Sequence, residues 1–197
     1  MRVMPIANFF IKRILNYIRR ETDYDEDDID LMRYSLEAIL WEIEKAVYMF
    51  LIFLTLGLHW YFLASVAALL TVRFYAGGFH SSTTWGRFFW SLLGFALALL
   101  VLPAVAINTA IVVLVAVFSV MATVAAAPVR SLQMEKIADK SKDKQKKYIV
   151  TTITIVWFLI IFLCQHLFLF EVIMWTIFLQ NLQLLIEYIK RKFLMGR

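Results

Sequence analysis

The chain has 197 residues, 62% of them hydrophobic and 18% charged, with a mean hydropathy of +0.74. Soluble domains run nearer to about 45–50% apolar, so this composition excludes an ordinary soluble domain and points to an integral membrane protein. The net charge of +5 then speaks to orientation and anionic headgroups rather than to nucleic acid, and a lone cysteine, Cys164, excludes an intrachain disulfide.

Residues 5–20, PIANFFIKRILNYIRR, predict a basic amphipathic helix, with Phe10, Ile14, Tyr17 and Ile18 on one side. A helix of this kind lies in the headgroup plane of the anionic leaflet. The first 20 residues carry five basic residues and no apolar core with a small-residue cleavage site, so no cleavable signal peptide is expected. Residues 21–30, ETDYDEDDID, read as a solvated acidic turn in which Asp28 or Asp30 caps the next helix, expected from Leu31.

Residues 46–72 carry no charge and number 27, long for one span and short for two. A span starting back at Ser35 and a break near Gly57, Leu58 and His59 give two. Residues 88–129 are also uncharged and exceed one span, with Pro103 and Asn108 as a hinge between spans at 88–102 and 104–127. Residues 130–147 hold seven basic and three acidic side chains. Two last spans are expected near 148–169 and 172–189. The N-terminal segment, the 130–147 loop and the C-terminus are all basic, which places all three in the cytoplasm. The expectation is thus an all-α, single-domain polytopic membrane protein. It has six transmembrane helices, an N-terminal interfacial helix, and both termini cytoplasmic. Four spans also satisfy the parity but force about 40 uncharged residues through one crossing.

Between the two uncharged runs lies RFYAGGFHSSTTWGR, residues 73–87. Polar groups gathered between spans mark a functional site. Gly77 and Gly78 suit a tight bend, and His80 is the residue type of a general base near neutral pH. If residues 80–91 are helical, His80, Thr84, Arg87 and Ser91 share a face. Thr84 and Ser91 are then hydroxyl nucleophile candidates; their ordinary role is hydrogen bonding to the preceding turn. Arg73 and Arg87 can grip a carboxylate, or Arg87 can simply anchor a span end. Cys164, placed mid-span, reads as a buried and inert thiol. His59, His80 and His166 are scattered and make no metal motif, and no cofactor is expected. Small residues across 94–127 admit a homodimer.

The stretch RFYAGGFH closely resembles the signature of the accessory gene regulator B family, membrane peptidases of Gram-positive quorum sensing. Tyr34-Ser-Leu-Glu37 resembles a second family segment. Ala125-Ala-Ala-Pro-Val129 before a Lys-rich loop resembles a third, and Gln180 in the last span fits a fourth. The resemblance implies an endopeptidase of the bacterial cell membrane, acting on a short precursor peptide with an amphipathic leader, a Cys- or Ser-containing segment and an acidic tail. It implies a catalytic role for His80 and a nucleophilic cysteine seven residues later, where this chain has Arg87. The alternatives are a peptidase with a hydroxyl nucleophile, a peptide-binding or regulatory relative that does not cleave, an inactivated variant in which Arg87 replaces a natural cysteine, and a membrane protein in which residues 73–87 are merely a loop.

Overall fold

The computed structural model describes residues 5–21, 24–77, 84–105, 107–129, 143–164 and 166–195. All regular structure among them is helical, with no strand. The chain divides into two compact units, Met1–Leu56 and Gly57–Arg197.

In the first unit, α1 (Pro5–Glu21) packs on α2 (Glu26–Thr55). Ile11 and Leu15, one turn apart on α1, are buried with Ile29 of α2, and Met32, Leu36 and Leu40 pack against them. Ile14 and Tyr17 are left exposed beside that contact. The acidic turn is not the cap expected. Asp25, in extended conformation, caps α2 by accepting a 2.7 Å hydrogen bond from the Glu26 amide, so the helix starts five residues before Leu31 and takes in Asp28 and Asp30. The physical reason is electrostatic: Glu26 and Asp28 in the first turn favour the positive end of the helix dipole. Farther along, Lys45 pairs with Glu42 on the same helix face.

Gly57, at φ +71°, ends this unit's last turn and opens the second, as the sequence break suggests. Among the described residues, five helices follow. They are α3 (His59–Ala76), α4 (Thr84–Ala96, continued by a π turn Leu97–Val101 and a 3-10 turn Leu102–Ala104), α5 (Thr109–Ala126), α6 (Asp143–Leu163) and α7 (Phe168–Met195). Four stretches of this unit are long and apolar enough to cross a membrane: Trp85–Ala104, Thr109–Ala126, Asp143–Leu163 and Phe168–Phe193. Their outer faces keep large apolar side chains exposed, such as Leu114 and Met121 on α5 and Leu159 on α6. That pattern suits hydrocarbon rather than water.

The hub is α7, which packs against α3, α4, α5 and α6. Half of its apolar window is buried, against 17–33% in the other three. Aromatic pairs tie these helices together: Phe62 with Phe95, Tyr61 with Phe168, and Phe118 with Phe178, at ring separations of 5.0, 4.9 and 5.2 Å. Trp157 Nε1 donates to Thr71 Oγ1 at 2.9 Å and links α6 to α3.

Pro103 and Asn108 bracket the break as expected, but the second span starts later than the sequence suggested. Pro103 has no N–H to give, and the helix loosens into π and 3-10 turns around it before ending at Ala104. Helix α5 starts at Thr109 rather than near 104, because Asn108 is its cap and accepts a 2.9 Å bond from the Ile111 amide. The next helix is also displaced. α6 begins at Asp143, within the basic segment, and ends at Leu163. Lysines are good helix formers, so the helix outruns the apolar stretch. Cys164 is therefore not mid-span but in the turn after α6. Its amide bonds the Ile160 carbonyl at 3.0 Å, and its own carbonyl accepts from Leu167.

Candidate functional site

Helix α3 carries Arg73 in its last turn and ends at Gly77. Gly77 has φ +78° and ψ −158°, a conformation that only glycine adopts readily. A second constraint is steric: a Cβ built on Gly77 would lie 1.8 Å from the Val129 carbonyl oxygen. The segment following α5 docks here. Val129 donates its amide to the Ala76 carbonyl at 2.9 Å, and the two chain segments form a short parallel bridge at Gly77 and Val129. The Ala-Gly-Gly and Ala-Pro-Val motifs, which begin at Ala76 and Ala127, thus share one backbone junction.

A third element locks the junction. Gln180 of α7, 3% exposed, donates Nε2 to the Gly77 carbonyl at 3.0 Å. A carbonyl at the end of a helix has no intrahelical partner, and this amide supplies one.

Beside the junction is a cavity of about 40 Å³. Its polar lining is Arg73 from α3, Ser91 from α4, and Thr176, Gln180 and Gln183 from α7; Leu69, Phe95 and Leu179 add apolar walls. Gly94 lets α4 approach α7 closely, with the Gln183 amide 3.7 Å from where a Cβ would stand. Thr176 spends its hydroxyl on the Val172 carbonyl at 2.8 Å. Arg73 has no carboxylate partner among the described residues.

Of the residues singled out in the sequence, Arg73, Ser91 and Gln180 line this cavity, and Gly77 accepts the Gln180 hydrogen bond. Helix α4 begins at Thr84, so Thr84, Arg87 and Ser91 do share its face. Arg87 is half-buried and does not line the cavity. Gly78 and His80 lie outside the described residues, as does the side chain of Thr84. Cys164 is remote: it precedes α7 by a turn, about 20 Å along that helix axis from Gln180.

Sequence reading passed over Thr176 and Gln183. Their signal was present. Positions 176, 180, 183 and 187 hold Thr, Gln, Gln and Glu, one per turn along a single face of an otherwise apolar helix. Asn181, fully buried, faces α5 instead, its Oδ1 3.0 Å from Thr123 Oγ1.

Helices long enough to cross a bilayer, with apolar outer faces, define a multi-pass helical membrane protein. More particularly, the chain belongs to the accessory gene regulator B family, whose sequence model matches residues 11–184. That match takes in every element of the cavity. A protein of Clostridium perfringens (strain 13 / Type A) described as AgrB-like is 22% identical over 182 residues, covering 91% of this chain and 96% of the relative. No solved structure matches the chain.

Proposed function

We propose that the protein is a cell-membrane peptide-processing scaffold of the accessory gene regulator B type, acting on a quorum-sensing precursor peptide. The substrate is a short peptide with an amphipathic leader and an acidic tail. The single observation that carries the reading is that Arg73 and Ser91 line one cavity with Gln180, which anchors Gly77. Arg73, Gly77, Gly78 and Arg87 hold the substrate, with the guanidinium groups gripping its carboxylates.

In this reading His80 is the general base and acid, and Ser91 or Thr84 is the nucleophile. The hydroxyl oxygen attacks a backbone carbonyl carbon and gives its proton to His80. The C–N bond then breaks, and His80 returns the proton to the departing amine. The resulting ester is open to capture by the peptide's own thiol or hydroxyl.

A second reading has its own observation. Arg87 stands seven residues after His80, where the family resemblance implies a cysteine. The protein is then a peptide-binding or regulatory scaffold that does not cleave.

The membrane arrangement belongs to the same proposal. All of α2–α7 cross the bilayer, α1 lies on the cytoplasmic surface through its exposed Ile14 and Tyr17, and both termini are cytoplasmic. The support is the basic character of residues 12–20, 130–147 and 190–197. This places residues 78–83 at the cytoplasmic face.

The deciding experiment is cleavage in liposomes of a synthetic peptide with an amphipathic leader, a cysteine-containing segment and an acidic tail. The protein, His80→Ala, Ser91→Ala and Arg87→Cys are compared. Cleavage lost in His80→Ala and in Ser91→Ala establishes the hydroxyl peptidase. Cleavage by Arg87→Cys alone establishes the non-cleaving scaffold. Neither cleavage nor binding in any variant rejects both.

A further inference from the structure

The polar face of α7 is longer than the bond to Gly77 requires. Thr176, Gln180, Gln183 and Glu187 follow one another over about 16 Å of helix. That is about half the thickness of a bilayer's hydrocarbon core. Polar side chains held at such depth mark a substrate path.

Two of the four are accounted for within the cavity. Thr176 bonds its own helix and Gln180 bonds Gly77. Glu187, below the cavity, is paired with Arg191 at 3.2 Å. Gln183 is half-buried, lines the cavity beside Arg73 and Ser91, and makes no hydrogen bond to any described residue. Three different polar groups therefore face one small space: a guanidinium, a hydroxyl and a primary amide.

Their chemistry selects a ligand. A guanidinium matches a carboxylate in a bidentate fork. A primary amide offers one acceptor and two donors, the complement of a peptide unit. A space of about 40 Å³ admits a side-chain carboxylate but not a length of peptide, so the backbone must pass across its mouth.

We propose that Gln183 is the specificity-determining residue of this cavity. It reads the peptide unit next to an acidic side chain whose carboxylate enters the cavity and pairs with Arg73. The proposal rests on the peptide-processing reading and adds a residue and a chemical preference to it.

The amide matters for a further reason. Had residue 183 been Glu, its carboxylate would compete for Arg73 from within and repel an acidic ligand. A neutral side chain that still hydrogen-bonds leaves the guanidinium available to the substrate.

The test uses the full-length protein in nanodiscs and two labelled synthetic peptides. One has an amphipathic leader, a cysteine-containing segment and an acidic tail. The other is its twin with every Asp and Glu replaced by Asn and Gln. Binding is read by fluorescence anisotropy at low salt. Wild type is expected to prefer the acidic peptide by about tenfold, the scale of a charge-assisted pair. Gln183→Glu abolishes that preference and binds the neutral twin more weakly than wild type does, because an ionised carboxylate donates no hydrogen bond to the peptide unit. Gln183→Leu, readily accommodated in a membrane helix, weakens both peptides by a similar factor and keeps the preference. Thermal unfolding confirms that both variants are folded.

If Gln183→Glu keeps the wild-type preference for the acidic peptide, the inference is overturned and the broader reading stands. The same holds if wild type binds both peptides equally. If wild type binds neither peptide, the peptide-processing reading itself fails.

Discussion

Gln180 and Gly77 are 103 residues apart in sequence and joined by one 3.0 Å hydrogen bond from a buried amide to a helix-end carbonyl. That bond fixes where α3 stops, and so fixes the base of the polar stretch that follows. Gln180→Leu removes the donor while keeping the side chain's bulk. Leaving a buried carbonyl unsatisfied costs about 1–3 kcal/mol. The expected result is a clear fall in Tm in detergent, because Gly77 loses its anchor on α7. Gln180→Glu with the carboxyl protonated can still donate, so lowering the pH should restore part of the lost stability in that variant only.

Gly77→Ala meets two obstacles at once. The added methyl clashes with the Val129 carbonyl, and the backbone conformation itself costs an alanine about 1–3 kcal/mol. Relief requires the Pro128–Val129 segment to move away, which breaks the Val129–Ala76 bond. The expected outcome is a larger loss of Tm than in Gln180→Leu. Gly57→Ala is the control. It shares the positive φ, at +71°, but has nothing within 4 Å of the added methyl, so it should suffer the conformational cost alone.

The junction shows what is and is not legible in the sequence. Gly77 and Gly78 announce a bend, and the Gly57 break can be read directly, since glycine is the residue for positive φ. Arg73 and Ser91 are recognisable as polar groups beside apolar runs. Nothing local, however, tells that Val129 docks on Ala76 or that Gln180 reaches Gly77, because these contacts join distant segments through packing. Cys164 was misplaced for a related reason. Hydropathy marks the apolar part of a helix and not its ends, and α6 gains its first turn from Asp143, Lys144, Lys146 and Lys147. Gln183 could have been found by counting polar residues at helical spacing along α7.

Helix α5 and helix α7 are joined by a second buried polar pair, Thr123 and Asn181, both fully buried. Thr123 Oγ1 lies 2.8 Å from the Ser119 carbonyl and 3.0 Å from Asn181 Oδ1. One hydroxyl proton cannot serve both acceptors. Turning the Asn181 amide over lets Nδ2 donate to Thr123 while the hydroxyl donates to Ser119, and satisfies both groups. Interhelical bonds of this kind in membrane proteins contribute about 0.6 kcal/mol on average and up to about 1.7. A double-mutant cycle with Thr123→Val and Asn181→Leu should give a coupling in that range. A coupling of zero would show that the two side chains are merely neighbours.

The proposed orientation is tested on the polar stretch itself. Cys164 is the sole cysteine, so Cys164→Ser gives a clean background. Its position in the turn after α6 makes the replacement mild. In that background, Ser82→Cys should react with a membrane-impermeant maleimide in inside-out vesicles and stay unlabelled in intact cells. Six crossings put residue 82 after the second span and on the cytoplasmic side. Four crossings, with α2 and α3 both outside the bilayer core, change that count. A cysteine replacing Leu167 in the turn between α6 and α7 serves as the partner probe, because it must lie on the face opposite the basic loop if α6 crosses the membrane. Labelling of Leu167→Cys but not Ser82→Cys in intact cells supports the cytoplasmic side proposed for residue 82, which crossing by α4–α7 requires whether or not α2 and α3 cross as a pair. Labelling of both in intact cells would overturn it, since residue 82 would then lie on the face opposite the basic residues at 143–147 and 190–192.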